Sequence, residues 1–175
     1  MASRAPSLAA RAAQIRLVIL DVDGVLTDGG LIYGAAGEEA KRFDVHDGFA
    51  LVAARRAGLE IAVMSGRASP AVTRRMSELG LAEIHQGVDD KAFAAGAVLD
   101  RLGLTWTEVA AMGDDLPDLP LLRAAGLALA PANAVPEVRK AAHWISRRSG
   151  GAGAVRDAVE MILKARHAWP PPDRA

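Results

Sequence analysis

With 175 residues, 51% of them hydrophobic, the chain is sized for one domain that buries about 70% of its unfolded surface. Its 21 Lys and Arg equal its 21 Asp and Glu, so there is no basic footprint for nucleic acid or an anionic membrane, and phosphate recognition has to be local. The absence of cysteine excludes disulfides, thiolate metal sites and a thiol nucleophile, and fits a reducing cytoplasm.

No apolar run approaches the roughly 18 residues of a membrane span. Residues 1–14 carry Arg4 and Arg11 among alanines and read as a short helical or frayed lead-in to a domain over 15–168, not as a signal peptide. Leu17-Val18-Ile19-Leu20 is a continuous apolar run, the mark of a strand buried on both faces of a parallel sheet. It ends in Asp21-Val22-Asp23-Gly24, where ligands bind in open α/β sheets. Two close carboxylates repel unless a cation neutralises them or one stays protonated as a general acid; a plain Asp-rich turn has no such need.

Residues 29–43 predict a protruding β-hairpin, with Leu31-Ile32-Tyr33 and Ala40-Lys41-Arg42-Phe43 flanking Gly34-Ala35-Ala36-Gly37. A helix is expected over 44–57, capped by Asp44 or Asp47, with Phe49, Leu51 and Val52 as its apolar face. Ile61-Ala62-Val63-Met64 is a second buried strand, running into Ser65-Gly66-Arg67, and Ser69-Pro70 opens the next helix with Ser at the cap. A weaker strand over 82–86 leads to Lys91, at the start of a helix that Gly103 stops. Val109-Ala110-Ala111-Met112 is a further strand, ending in Gly113-Asp114-Asp115-Leu116-Pro117-Asp118. Short helices and strands follow to 145, then a flexible glycine loop over 150–153. A final amphipathic helix carries Val155, Val159, Ile162 and Leu163 on one face, and Trp169 with its prolines begins an extended tail over 169–175. Strands alternating with helices predict a three-layer α/β/α Rossmann-like sandwich with a mainly parallel sheet.

Asp21 with Asp23, Ser65 with Arg67, Lys91, and Asp114 with Asp115 and Asp118 thus gather at strand ends or helix starts. Each alone is an ordinary turn or a solvated charge. Together they supply acids for a hard divalent cation, and a hydroxyl and an ammonium for an oxyanion, which is what phosphoryl transfer requires.

DVDGVLT, the Ser of MSGR, Lys91 before a helix and GDDLPD, in that order, resemble the four motifs of the haloacid dehalogenase superfamily over about residues 15–165. More narrowly, the hairpin, FDVHDG, GDDLPD and GGAGAVR resemble the 3-deoxy-D-manno-octulosonate 8-phosphate phosphatases of lipopolysaccharide sugar synthesis. The resemblance implies that Asp21 is the nucleophile and Asp23 the general acid and then base. It implies that Asp21, the Asp23 carbonyl and Asp114 hold Mg²⁺, and that Ser65, Gly66 and Lys91 bind the phosphoryl group. Asp115 and Asp118 would support them from behind, and Arg67 would face the sugar acid. Members often carry Arg where Ala152 and His46 stand here.

Larger relatives insert a further domain between the motifs, and the spacings 23–65 and 65–91 leave no room for one. The resemblance therefore implies an open site walled by a neighbouring subunit, a homotetramer built on the hairpin, and a phosphorylated sugar acid as substrate. By the same resemblance, Arg67 implies an eight-carbon over a nine-carbon sugar acid, since a Glu is expected near that position in the nine-carbon enzymes. A non-catalytic tetramerising scaffold would need none of these acids, and a receiver domain would want its acceptor Asp on the third strand.

Overall fold

A computed structural model of the chain describes residues 6–37 and 39–171. In chain order these form α1 (Leu8–Ala13), β1 (Leu17–Leu20), β2 (Ile32–Tyr33), β3 (Glu39–Ala40), α2 (Val45–Arg56), β4 (Glu60–Ser65), α3 (Pro70–Glu78), β5 (Glu83–Gln86), α4 (Lys91–Leu102), β6 (Val109–Met112), α5 (Leu119–Ala124), β7 (Leu127–Ala130), α6 (Pro136–Ala141), β8 (Trp144–Ile145) and α7 (Ala154–Ala165). The main sheet runs β5-β4-β1-β6-β7-β8 and every pair in it is parallel. No helix among the described residues is long and apolar enough to cross a membrane.

The apolar runs behave as strands covered on both faces. Along β1, Val18 and Leu20 enter one cluster with Ile61, Val63 and residues of α1, α2, α3 and α7, while Leu17 and Ile19 enter another with Ala62, Met64 and residues of α4, α5 and α6. That alternation makes the sandwich three layers deep. Chain order reverses at β1, which pairs with β4 on one side and β6 on the other, so the crevice above Leu20, Val63 and Met112 is the topological switch point.

Three local expectations are corrected. The hairpin strands shorten to two residues each, paired Ile32 to Ala40 and Tyr33 to Glu39, because Phe43 turns inward onto the core and Asp44 caps α2. Phe49 does not face the core but is 53% exposed. The buried stripe of α2 is Asp47, Gly48, Ala50, Leu51, Ala53 and Ala54, small residues that permit close packing. Ser69 holds the cap position of α3 as expected, without a side-chain cap hydrogen bond. Finally, the glycine loop is pinned. Gly150 packs where any Cβ would overlap the Gly24 carbonyl, and the Gly151 N–H donates to Val25 O at 3.0 Å.

The lead-in is helical where described: α1 is capped by Ser7, its Ala12 is buried, and Arg11 donates to Gly126 O at 2.6 Å. Trp169 folds back on its own chain, edge-to-face with Phe49 at 6.5 Å and under the Arg156 guanidinium at 4.6 Å. The rest of the expected tail, 172–175, lies outside the described residues.

Candidate active site

The crevice at the switch point is a cleft of about 370 Å³ lined by Asp21, Asp23, Gly29, Ser65, Gly66, Arg67, Val88, Lys91, Asp114, Asp115, Pro117 and Asp118. All nine residues singled out in the sequence line it. A larger cleft of about 550 Å³ beside Arg123, Glu137, Lys140 and His143 has no such gathering of acids.

Asp21 continues β1, and its N–H donates to Met112 O at 3.0 Å, which keeps the strand register past the sheet edge. The chain then turns tightly, with the Val22 carbonyl accepting from Val25, Leu26 and Thr27. Gly24 makes this turn at φ +89°, and a Cβ there would fall on the Asp114 carboxylate, so glycine serves both the backbone angle and the acid beside it. Asn133, not singled out in the sequence, ties the turn to the glycine loop: its Nδ2 donates to Gly24 O at 3.1 Å and its Oδ1 accepts from Gly150 N at 2.7 Å.

Lys91 is the first residue of α4, behind the Asp90 cap, and only 7% of its side chain is exposed. Its Nζ donates to Asp21 Oδ1 and to Asp118 Oδ1, each at 2.6 Å. Burial disfavours its charge, but the two carboxylates outweigh that and raise its pKa above the ordinary lysine value. Asp118 spends its other oxygen on the backbone N–H groups of Asp114 and Asp115, at 3.0 and 3.3 Å. Asp115 is exposed, and its Oδ1 accepts from Leu116 N.

The acids outnumber this one ammonium. Oxygens of Asp21, Asp114 and Asp118 lie within 4.8 Å of one another, and Asp114 Oδ1 is buried with no hydrogen-bond partner among the described residues. Burial and the Asp118 charge push Asp21 up to about 6, and burial and the Asp21 charge push Asp114 up to about 7. A cluster of hard oxygen donors with excess negative charge and an unused buried oxygen fits a small divalent cation such as Mg²⁺. Because both Asp118 oxygens are already engaged, Asp21 and Asp114 are the side chains free to hold it.

Ser65, at the end of β4, is buried, and its Oγ accepts from the Arg67 N–H at 3.1 Å. Arg67 is bound to the hairpin: its Nη2 lies 2.7 Å from Glu39 Oε2 and 3.4 Å from the Tyr33 hydroxyl, and its Nε is 3.8 Å from Asp23 Oδ2. Lys41, also from the hairpin, sits 2.5 Å from Asp23 Oδ1 and 3.0 Å from Glu39 Oε1. Glu39 is held down to about 2 by these Lys41 and Arg67 contacts. Neither Glu39 nor Lys41 was singled out in the sequence. Their spacing of two, which puts both on one side of a strand, was the available clue.

The haloacid dehalogenase-like hydrolase family matches residues 75–158. The chain is 40% identical over 157 residues to the 3-deoxy-D-manno-octulosonate 8-phosphate phosphatase of Escherichia coli K12, covering 90% of this chain and 84% of that protein. It superposes with TM-score 0.90 and 41% identity, over 92% of each chain, on the 3-deoxy-D-manno-octulosonate 8-phosphate phosphatase of Moraxella catarrhalis in complex with a magnesium ion, a phosphate ion and KDO. The cobalt-bound deoxy-D-mannose-octulosonate 8-phosphate phosphatase of Haemophilus influenzae gives TM-score 0.87 at 38% identity, over 91% of this chain and 95% of that one.

Proposed function

The chain belongs to the 3-deoxy-D-manno-octulosonate 8-phosphate phosphatase family of haloacid dehalogenase-like hydrolases, and on that premise we propose that it hydrolyses 3-deoxy-D-manno-octulosonate 8-phosphate to the free sugar acid and phosphate in the cytoplasm, within lipopolysaccharide sugar synthesis. It is a phosphoric monoester hydrolase with magnesium as cofactor. The observation that carries the reading is the Lys91 ammonium between Asp21 and Asp118, beside a buried Asp114 oxygen with no partner among the described residues.

In the mechanism we infer, an Asp21 carboxylate oxygen attacks phosphorus and the bond from phosphorus to the sugar oxygen breaks. Asp23 gives its proton to the departing alkoxide, then takes a proton from the water that attacks the aspartyl phosphate. That second displacement returns the Asp21 carboxylate and releases phosphate. The Ser65 hydroxyl and the Lys91 ammonium donate to the transferring phosphoryl oxygens, charge being placed where it develops. Asp21, Asp114 and the Asp23 carbonyl would hold Mg²⁺, which when bound supplies positive charge against the phosphoryl oxygens. Asp118 orients Lys91, and Arg67 binds the sugar-acid end.

We further propose a homotetramer in which a neighbouring subunit completes the open cleft. The apolar Leu31, Ile32 and Tyr33 of the hairpin, 45%, 55% and 60% exposed, support it. Light scattering of Ile32→Asp should then show monomers or dimers, whereas an unchanged mass would refute this assembly.

The test of the reaction is phosphate release, with Mg²⁺ and with chelator, from the eight-carbon 8-phosphate, nine-carbon sugar-acid 9-phosphates and an aryl phosphate. The proposal requires preference for the eight-carbon acid, abolished by chelation. Preference for a nine-carbon acid would move the substrate while keeping the chemistry, and no turnover by a folded protein would overturn the reading.

A further inference from the structure

We propose that Lys41 is a positioning residue for Asp23, fixing which carboxylate oxygen exchanges a proton with the substrate; the inference rests on the reading of Asp23 as the acid and base. Lys41 reaches the cleft from the hairpin with a side chain only 1% exposed, and its ammonium meets two carboxylates, Asp23 Oδ1 at 2.5 Å and Glu39 Oε1 at 3.0 Å. An ammonium removed from water has to be held by partners, so Lys41 is itself fixed. Glu39 is anchored in turn by Arg67 at 2.7 Å, and Arg67 Nε approaches the other Asp23 oxygen at 3.8 Å.

The consequence for Asp23 is geometric. Its side chain lies on a turn beyond the sheet and would otherwise sweep through several rotamers. The charge-assisted bond from Lys41 commits Oδ1 and sets the plane of the carboxylate, which leaves Oδ2 as the oxygen that carries the proton to the leaving alkoxide. The hairpin therefore contacts the acid itself. Glu39 and Lys41, two residues apart on one side of it, connect its seating to the aim of the acid.

An alkyl phosphate, whose alkoxide needs a proton as it leaves, depends on that aim. 4-Nitrophenyl phosphate, whose leaving group is stable as an anion, depends on it much less. The experiment compares kcat/KM for the two substrates in the wild type, Lys41→Met, Lys41→Gln and Asp23→Asn, with folding followed by circular dichroism. The alkyl-to-aryl ratio of kcat/KM should fall about 10-fold or more in Lys41→Met, by less in Lys41→Gln, which retains a donor, and most in Asp23→Asn. Equal loss on both substrates in folded Lys41 variants, with the split present in Asp23→Asn, would overturn the role of Lys41 alone. Absence of the split in Asp23→Asn would overturn the reading of Asp23 beneath it.

Discussion

Asp118 holds Lys91 against Asp21: the Lys91 ammonium lies 2.6 Å from an oxygen of each, while the second Asp118 oxygen is fixed by the backbone of Asp114 and Asp115. One carboxylate thus sets the position of the cation and of the strand end carrying Asp114. Lys91 also opposes the burial that raises the Asp21 pKa. In Lys91→Met that opposition is gone and Asp21 takes up a proton at higher pH. We expect kcat to fall about 100-fold or more, with Asp118→Ala losing at least about 10-fold through a freed lysine. Steady-state kinetics on the preferred substrate check both, and retention of wild-type kcat in Lys91→Met would contradict the assignment.

Metal binding should release protons. With Asp114 at about 7 and Asp21 at about 6 in the metal-free protein, Mg²⁺ has to displace protons from both at low pH. Apparent affinity, measured by calorimetry in buffers of different ionisation enthalpy, should weaken about tenfold per unit as pH falls below about 7, and more steeply below about 6. The same two groups bind protons in the folded apoprotein that the unfolded chain releases near pH 4, so νN exceeds νU and stability in chelator falls as pH rises through about 6 to 7. A pH-independent Mg²⁺ affinity would contradict this.

Gly24 and Asp114 are fitted to each other. Gly24→Ala places a methyl on the Asp114 carboxylate and strains a backbone at φ +89°. Mg²⁺ affinity should fall about tenfold or more as Asp114 is pushed aside, with far-ultraviolet circular dichroism unchanged. Wild-type affinity in this variant would show that Asp114 does not hold the ion.

Asp47 ties α2 to the start of α7. It is 1% exposed on α2, with Oδ1 accepting from the Arg156 N–H at 2.7 Å and Oδ2 from the Gly153 N–H at 3.4 Å, at the start of α7. Asp47→Ala leaves those donors unpaired and should cost about 1–3 kcal/mol in denaturant unfolding. Burial pushes the Asp47 carboxyl up to about 6, so whatever stability its proton uptake adds is present at low pH and lost as pH rises through about 6. No change in unfolding midpoint would make the contact incidental.

The strands were legible because β1, β6 and β7 are buried on both faces and leave no room for polar residues. The acids of the cleft were legible because Asp21 follows such a run directly and Asp114 follows one after a single glycine, where a parallel sheet opens to ligand. Lys41 and Glu39 were not, since a two-residue hairpin pairing sets which side chains turn to the cleft, and a shift of one residue would reverse it. Phe49 misled because hydrophobicity suggests burial, whereas α2 packs through Gly48 and alanines and leaves the ring to Arg156 and Trp169. Asp47 is not the cap of α2, a position that Asp44 takes, and its partners are α7 N–H groups 106 and 109 residues away. No local spacing reveals a contact of that range.

Acid quench after mixing enzyme, Mg²⁺ and phosphorus-labelled sugar-acid phosphate shows whether Asp21 is the nucleophile. Label should appear on the peptide containing Asp21, be released by hydroxylamine as an acyl phosphate is, and be absent from Asp21→Asn. Turnover without any label, or sustained hydrolysis by Asp21→Asn, would contradict it.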